Sequence, residues 1–293
     1  QNWRRYFHKH PELSNEEFET TKTLAKELES MGVEVHVDTE RGIGLIGIIH
    51  GAKHGKAIAL RADIDALPVH EHNAVDYKSE VEGKMHACGH DGHMAILLGA
   101  AKMLMSMKDR IEGDVYLAFQ PAEETGAGAP DFIKFGDWYD KVDAIFGGHV
   151  WIDLSAGLMS VEEGPRMAAS SQITINVKGK QGHGAQPHQA IDAIVVASAI
   201  VMNLQTVVSR NVSALDSVVV TIGNIHSGSE WNVIPGEASL GGTVRFFDPN
   251  QEQYIVDTIR RIVEHTAEAY GATATLEYVK KVPPTINDPE SSE

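Results

Sequence analysis

The sequence predicts an α/β fold with a mostly parallel central sheet and an inserted α+β unit in the order βαββαβ. Three short, continuous apolar runs, residues 56–60, 114–119 and 144–146, are typical of strands buried on both faces of a parallel sheet. Each run leads directly into polar residues, and ligands of open α/β sheets bind beyond the carboxyl ends of strands. The first part of the chain is therefore predicted to hold a functional site.

A helix is predicted before the first of these strands. Ser14 and Glu17 have the spacing of a capping box, and Gly32 can end the helix. Apolar residues recur along one face between these ends: Phe18, Leu24, Leu28 and Met31. We expect this face to cover the sheet.

From about Gly164 the pattern of the sequence changes. The second unit is predicted as a strand at 172–177, a helix at 190–208, strands at 217–225 and 238–247, a helix at 251–270 and a strand at 273–279. Glycine with proline at 164–165 and two prolines at 283–284 mark the candidate joints. These joints predict a first domain at 1–165, an inserted domain at 166–281 and a return into the first domain at 282–293.

The composition excludes several classes of protein. The 293 residues are 42% hydrophobic, which is enough for one large or two modest packed domains. The formal net charge of -16 would repel nucleic-acid phosphates and anionic lipid head groups. No apolar run approaches the roughly 20 residues that cross a bilayer, and the start of the chain lacks the apolar stretch of a signal peptide. With one cysteine, the chain is expected to be soluble and cytoplasmic, with no nucleic-acid or membrane partner.

Potential metal ligands are densest just before and at the start of a predicted helix. The run MHACGHDGH contains His86, Cys88, His90, Asp91 and His93. A thiolate and an imidazole one residue apart on a turn can converge on one metal ion, and this pair of ligands suits zinc and its neighbours. The alternative is an ordinary buried cysteine among helix-capping polar groups.

Two further segments carry ionisable groups to strand ends. Glu123 and Glu124 follow the second apolar run, so one can ligate a metal while the other serves as general base. The alternative is a solvated acidic turn. His149 follows two glycines at the end of the third run, which aims its imidazole into the crevice unless it is only a structural residue.

Cys88 could instead be a nucleophile paired with His90 or His149. The chain has no protease-type cysteine elbow, and a metal better explains a thiol surrounded by histidines and acids. Cys88, His90, Glu124 and His149 are therefore the predicted ligands.

The second unit adds candidate substrate contacts. His183 and His188 lie in a glycine-rich loop after a strand, Asn232 lies in WNVIPGE, and Arg245 lies near a strand end. A guanidinium can hold a carboxylate by two parallel bonds, which favours Arg245 as a carboxylate anchor. A surface salt bridge is the alternative for Arg245, and loop hydrogen bonds are the alternative for the others.

These segments form a collinear series along almost the whole chain: RRYFHKHPELSNEE, LRADIDALP, MHACGHDGH, PAEE, GGHV, GKQGHGAQPHQAIDAI, NVIPGEASLGGTVR and PPTIND. The series resembles the metallopeptidase family that contains aminoacylases, carboxypeptidase G type enzymes and, in its cysteine-bearing branch, hippurate hydrolases and plant auxin-conjugate amidohydrolases. The resemblance implies a catalytic domain with two divalent metal ions, zinc or else manganese, cobalt or nickel. It also implies that the inserted unit is a lid that forms a homodimer.

The resemblance assigns roles to particular residues. Cys88 would bridge the metals, and the terminal ligands would be His90, Glu124 and His149. Glu123 would be the general base and Asp63 an acid that orients a ligand. His183 resembles the lid histidine that stabilises the oxyanion in the partner subunit's site, while Asn232 and Arg245 resemble groups that hold the substrate carboxylate.

The implied reaction is hydrolysis of an N-acyl amino acid to a carboxylic acid and an amino acid. Two rivals remain: a dipeptidase or aminopeptidase with the same metal core, and a catalytically silent metal-loaded binding protein. Relatives continue beyond PPTIND and supply a last histidine ligand there. We therefore expect the sequence to be part of a longer protein.

Overall fold

A computed structural model describes residues 1–292, and these form two compact units. The first unit comprises Gln1–Met159, and the second begins at Ser160. Each unit has its own sheet and hydrophobic core. The candidate metal ligands lie in the first unit, whereas His183, Asn232 and Arg245 lie in the second.

The first unit is built on a five-stranded sheet. Its strands are β1 (Glu34–Val37), β2 (Leu45–His50), β3 (Ile58–Asp63), β4 (Asp114–Gln120) and β5 (Ala144–Gly147), in the spatial order β1-β2-β4-β3-β5. Strand β3 pairs in parallel with both β4 and β5, while β2 pairs antiparallel with β1 and β4. The sheet is therefore mixed, and the prediction of a mostly parallel sheet is wrong. Strands β1 and β2 follow each other directly along the chain, without the helical crossover that a parallel pair requires.

The two faces of this sheet bury different side chains. Val115, Leu117 and Phe119 of β4 pack against helices on one face. Tyr116 and Ala118 pack on the other face, in a cluster with Trp138 and its neighbours. This confirms the prediction of a strand buried on both faces for β4. The same prediction is wrong for β5, because Ile145 and Phe146 are each more than 40% exposed.

Helices cover one face of the sheet. They are α1 (Asn2–Lys9), α2 (Phe18–Ser30) and α3 (His90–Ser106), and a short helix, α4 (Gly128–Phe132), follows β4. The sequence pattern predicted α2 but not α1. Leu24 and Leu28 of α2 are fully buried. Gly32, with φ of 81°, ends the helix in a left-handed turn that few other residues adopt.

The predicted capping box at the start of α2 is wrong. The Ser14 hydroxyl donates to Asp65, 2.6 Å away, and the Glu17 carboxyl is buried without capping the helix. The carboxylate of Glu12 instead accepts hydrogen bonds from the backbone N–H groups of Glu19 and Thr20. A carboxylate at this position satisfies otherwise unpaired N–H groups and favours the positive end of the helix dipole.

The second unit has a four-stranded antiparallel sheet of order β12-β7-β11-β9. Its principal elements are β7 (Ser170–Lys178), α5 (Ala193–Thr206), β9 (Val218–Ser227), β11 (Glu237–Phe246), α6 (Glu252–Ala269) and β12 (Thr273–Val282). This confirms the predicted order βαββαβ. A two-stranded ribbon, β8 (Gly182–His183) with β10 (Val233–Ile234), was not predicted.

One stretch in the second unit, Ala193–Asn211, is long and apolar enough by length and composition to cross a membrane. The sequence expectation that no apolar run approaches this length is therefore corrected. In the structure, Val196, Ile200 and Leu204 of this stretch are buried in the core of the second unit. Core helices of globular domains often have the same composition, so the stretch is explained by packing on its own sheet.

The ends of the second unit meet in a small sheet. Strand β6 (Gly164–Met167) pairs with β13 (Thr285–Asn287), which precedes the short helix α7 (Pro289–Ser292). The glycine and proline joints thus lie at or beside paired segments. The domain boundaries at 165–166 and 281–282 stay a prediction.

The burial of α3 allows a direct test of the packing in the first unit. Leu98 is fully buried, whereas Met103 on the same helix is 69% exposed. We expect Leu98→Ala to lower the free energy of unfolding by about 2–5 kcal/mol, because it leaves a cavity in the core. Met103→Ala should change it by less than about 0.5 kcal/mol. Urea unfolding of both variants measures this, and equal losses would contradict the assigned buried face.

Candidate metal centre

Two strand ends and one helix start bring the predicted ligands together in the first unit. Because β3, β4 and β5 are parallel, their carboxyl ends meet at one edge of the sheet. Glu123 and Glu124 follow β4, and His149 follows β5. Cys88 and His90 stand at the start of α3. The predicted placement of ionisable groups beyond strand ends is confirmed.

Gly89 separates Cys88 from His90 and allows both to face the same space. Its φ of 94° is left-handed, and a Cβ atom here would lie 2.5 Å from the Val150 side chain. A residue with a side chain would therefore be strained at this position and would also clash. The turn places the thiol just before the helix and the imidazole in its first turn.

His90 is held so that one ring nitrogen is left over. Its Nδ1–H donates to the backbone carbonyl of Asp65 over 2.8 Å, and the ring is buried. Its Nε2 has no hydrogen-bond partner within residues 1–292. The buried Oε1 of Glu124, 3.8 Å from this Nε2, is also unpaired among the described residues. Buried polar atoms without partners are rare, and a cation bound between these two would satisfy both.

The two glutamates after β4 differ in environment. Glu124 is more buried: its side chain is 19% exposed against 40% for Glu123. Burial, with the charges of Glu123 and Asp65, raises the pKa of Glu124, although the nearby His90 opposes this shift. The Oε2 of Glu123 lies 3.9 Å from the Nε2 of His90. The structure thus gives one buried carboxylate and one that faces solvent, as a ligand and a base require.

His149 and Cys88 form a second close pair. The Nδ1–H of His149 donates to the carbonyl of Val150 over 2.6 Å, which leaves Nε2 to face the Cys88 sulfur at 3.4 Å. The close approach of His149 lowers the pKa of the Cys88 thiol, despite its partial burial. The thiolate is the form that binds metals.

Asp63 orients a histidine that the sequence analysis left without a role. Its Oδ1 accepts a hydrogen bond of 2.6 Å from Nδ1 of His93, and its Oδ2 accepts one of 2.7 Å from Arg61. The Nε2 of His93 in turn accepts the N–H of Val150. Both ring nitrogens of His93 are therefore used, and it fixes the backbone beside His149. Burial opposes ionisation of Asp63, but the His93 hydrogen bond and the Arg61 charge outweigh it and hold the pKa well below its usual range.

The donor set fits a divalent metal centre. Ligand atoms on one tetrahedral zinc lie about 3.3–3.6 Å apart, given bond lengths of about 2.0–2.3 Å. The Cys88–His149 separation of 3.4 Å and the His90–Glu124 separation of 3.8 Å are close to this range. Within the described residues, Cys88, His90 and His149 form one candidate ligand group, and His90, Glu123 and Glu124 form another. His90 belongs to both groups.

Two members of the predicted histidine cluster do not join this centre. Asp91 accepts hydrogen bonds from Arg4 and from the buried His8, which also contacts Glu71. His86 is buried with neither ring nitrogen paired among the described residues, and burial lowers its pKa to about 4. Asp91 lies in the first turn of α3, but its side chain contacts α1, so the dense motif divides between two environments.

The second unit brings two of its three candidate residues together. His183 lies opposite Val233 in the β8/β10 ribbon, and the adjacent carbonyl of Asn232 accepts the N–H of Gly184. The Nδ1 of His183 accepts the N–H of Ala185, which places the proton of the neutral ring on Nε2. The exposed His183 therefore offers an N–H donor beside Asn232.

Arg245 lies away from this pair. It pairs with Val219 near the end of β11, whereas Asn232 precedes the start of the same strand at Glu237. Arg245 follows Glu237 by eight residues, roughly 26 Å of strand at about 3.3 Å per residue. Asn232 therefore precedes one end of β11, and Arg245 lies near the other end.

Comparisons with known proteins agree with this architecture. The chain matches the sequence profile of peptidase family M20/M25/M40 over residues 59–293. It is 43% identical over 285 residues to N-acetyl-L-cysteine deacetylase of Bacillus subtilis strain 168, which covers 97% of this chain and 68% of that protein. It is 42% identical over 294 residues to thermostable carboxypeptidase 1 of Saccharolobus solfataricus, with coverage of 98% and 74%.

A solved structure gives the same result. The fold matches the crystal structure of the Bacillus subtilis YXEP protein, a dinuclear metal binding peptidase, with a TM-score of 0.85 and 39% identity over 98% of this chain and 74% of that one. The chain therefore belongs to peptidase family M20/M25/M40. The resemblance inferred from the sequence motifs is confirmed.

Metal binding to this centre should depend on pH. Burial alone would lower the pKa of His90, but its contacts with Asp65, Cys88 and Asp63 outweigh burial and raise the pKa to about 11 in the metal-free chain. Only the neutral imidazole ligates, so binding must release this proton at neutral pH. We expect Zn²⁺ or Mn²⁺ affinity to fall by about tenfold per pH unit and per proton released as the pH is lowered from about 8 to about 6.

Isothermal titration calorimetry in buffers of different ionisation enthalpy measures both the affinity and the proton release. Cys88→Ser should weaken binding, whereas replacement of the exposed His36 by alanine should leave it unchanged. Binding that is independent of pH, or equal in Cys88→Ser and the wild type, would contradict the assignment of these ligands.

Proposed function

We propose that this protein is a metal-dependent amidohydrolase that cleaves N-acyl amino acids into a carboxylic acid and a free amino acid. The observation that carries the proposal is the pair of buried, unpaired atoms, Nε2 of His90 and Oε1 of Glu124, beside the solvent-facing carboxylate of Glu123. A relative that is 43% identical is named as a deacetylase of an N-acetyl amino acid, which supports this class of substrate.

Two divalent metal ions are proposed as cofactors, and their ligands would be Cys88, His90, Glu124 and His149, with Cys88 as the bridge. The close Cys88–His149 and His90–Glu124 pairs support this ligand set. When bound, such ions lower the pKa of a water molecule toward neutrality and polarise the acyl carbonyl. Thiolate and imidazole favour zinc in affinity, and manganese, cobalt and nickel suit the same mixed donors.

Glu123 is proposed as the general base. Its carboxylate is the more exposed of the two glutamates, and its Oε2 lies 3.9 Å from Nε2 of His90, so it is free to contact a water at the centre. Glu123 would accept the proton of the attacking water and then deliver it to the nitrogen of the departing amino acid. Asp63 would act indirectly, through His93 and the backbone of Val150, to hold His149 in place.

The second unit is proposed as the lid and dimerisation domain, with boundaries at 166 and 281. The Nε2–H of His183 would donate to the oxyanion that forms on the acyl carbon, a contribution of about 3 kcal/mol for such donors. Asn232 and Arg245 would hold the substrate carboxylate. Because they lie at opposite ends of β11, they can do so together only if they come from two copies of the chain. This separation supports a homodimer.

A dipeptidase or aminopeptidase with the same metal core remains the second candidate. A relative that is 42% identical is named as a carboxypeptidase, which supports cleavage of peptide bonds in general. The two activities differ in the nitrogen end of the substrate. An amidohydrolase accepts a blocked amino group, whereas an aminopeptidase requires a free one. The proposed absence of nucleic-acid and membrane partners rests on the charge of -16, and the prediction of a cytoplasmic protein rests on the single cysteine.

The substrate class can be tested by release of amino acids from N-acetyl, N-benzoyl and dipeptide substrates. The full chain would be loaded separately with Zn²⁺ and Mn²⁺ and compared with a chelated control. We expect chelator-sensitive release from the N-acyl substrates. Glu123→Gln should lower kcat by about 10²–10⁴-fold while metals stay bound, because the general base is lost.

Glu82→Gln is the matched control, because it makes the same change at an exposed carboxylate outside the centre. Near-normal turnover by metal-loaded Glu123→Gln would reject the base. Preference for dipeptides with free amino groups would favour the peptidase. No turnover of any substrate with metals bound would favour a silent binding protein.

The proposed dimer makes a second prediction. If His183 acts in the partner's site, a mixture of Glu123→Gln and His183→Ala chains should regain activity, because one site of each mixed dimer has an intact Glu123 and an intact partner histidine. Random exchange would restore about a quarter of wild-type activity in a symmetric dimer. Mixing the refolded variants and measuring turnover tests this, and no recovery despite proven exchange would place His183 in its own subunit's site.

A further inference from the structure

Glu17 is a buried acid that neither caps a helix nor belongs to the candidate ligands. The residue has no exposed surface. Its Oε1 accepts a hydrogen bond of 2.7 Å from the backbone N–H of Ala122, and its Oε2 has no partner within residues 1–292. Burial raises the pKa of this carboxyl to about 7, although the Ala122 hydrogen bond opposes the shift. Burial of a carboxyl group is unfavourable, so its contact with Ala122 needs an explanation.

Ala122 is in an unusual backbone conformation directly before the two site glutamates. Its φ is 54°, in the left-handed region that residues with a Cβ atom rarely adopt, and it is fully buried. Its carbonyl accepts the N–H of Gly128, which closes the turn. The direction in which Glu123 and Glu124 leave this turn depends on the conformation of Ala122.

A second contact holds the other end of the same turn. The Oδ2 of Asp65 accepts the backbone N–H of Glu124 over 3.0 Å and the hydroxyl of Ser14 over 2.6 Å. Ser14 and Glu17 belong to one short segment before α2. This segment therefore supports the turn at Ala122 directly and at Glu124 through Asp65.

We propose that Glu17 is a positioning residue: its carboxyl oxygen holds the N–H of Ala122, and so keeps the left-handed turn that presents Glu123 and Glu124 to the metal centre. The proposal rests on the proposed function only for the role of Glu123 as the base. The position of Glu124 is tested by metal affinity, which can be measured without catalysis. The helix does not require the Glu17 side chain, since Glu12 accepts the N–H groups at the start of α2.

Two substitutions test separately whether the position of the Glu17 carboxyl oxygen or the charge of the carboxyl group matters. Glu17→Gln keeps an acceptor oxygen at the same distance, and the pKa of about 7 means that the native carboxyl is readily neutral. Glu17→Asp keeps the acid but shortens the side chain by one methylene, so the oxygen no longer reaches Ala122. We expect Glu17→Gln to stay within about twofold of the wild type and Glu17→Asp to bind Zn²⁺ or Mn²⁺ about tenfold more weakly, as for other groups that support ligands.

Turnover of the Glu17 variants is measured with a substrate that the wild type hydrolyses. Glu17→Asp should lower kcat by about tenfold, with little change in KM, because the base and ligand are misplaced while the substrate contacts remain. Ala122→Gly in the Glu17→Asp background should restore metal affinity and kcat toward the wild type, because glycine adopts a positive φ without strain. A role of Glu17 in packing alone would show no such rescue.

Asp143→Ala is the control for a general loss of stability. Its carboxylate accepts the N–H of Ala57 at the amino ends of the strands, the edge opposite the centre, so metal affinity should not change. Glu17→Asp with wild-type metal affinity, or Glu17→Gln as defective as Glu17→Asp, would overturn the proposal. If Glu17→Asp alone does not fold, the double variant decides: recovery of folding and metal affinity supports the proposal, and continued failure contradicts it.

The two proposals fail in different ways. A wild type that binds metals but hydrolyses no substrate rejects the amidohydrolase, while the metal affinities of the Glu17 variants still test the positioning role. Hydrolysis with metal affinities that do not depend on Glu17 rejects the positioning role alone.

Discussion

The metal centre depends first on one hydrogen bond, from Nδ1–H of the buried His90 to the backbone carbonyl of Asp65. This bond fixes the ring orientation and leaves Nε2 as the free atom, since a neutral imidazole carries one proton. It also joins the start of α3 to the end of β3. The same Asp65 accepts the N–H of Glu124 through its side chain. A single residue thus sets the positions of two candidate ligands from different elements.

Electrostatics explains why this site requires a cation. Carboxylates converge on the imidazole of His90 at close range: Asp63, Asp65, Glu123 and Glu124. In the metal-free chain, a proton on His90 partly compensates for this negative charge, which accounts for its pKa of about 11. Divalent ions would compensate more of this negative charge, and the unpaired ligand atoms would bind them. Charge compensation and ligation therefore act in the same direction.

Sequence patterns predicted what depends on local chemistry and missed what depends on contacts between distant residues. The buried run at β4, the glutamates after it and the Cys88–His90 pair were all visible from residue type and spacing. The parallel partner of β3 could not be distinguished from the antiparallel β2, because apolar runs do not reveal strand direction. Ser14 and Glu17 had the spacing of a capping box, yet their partners lie 51 and 105 residues away. Helix propensity could not reveal those contacts.

The second unit shows why residue types alone do not define a substrate site. Asn232 and Arg245 are both suited to bind a carboxylate, but only the structure shows that Asn232 precedes β11 and that Arg245 lies near the far end of this strand. A long antiparallel strand fixes this separation rigidly, since its hydrogen bonds to β7 and β9 leave no room to fold it back. The proposed carboxylate site would therefore combine residues of two chains, which links the size of the substrate to the geometry of the proposed dimer.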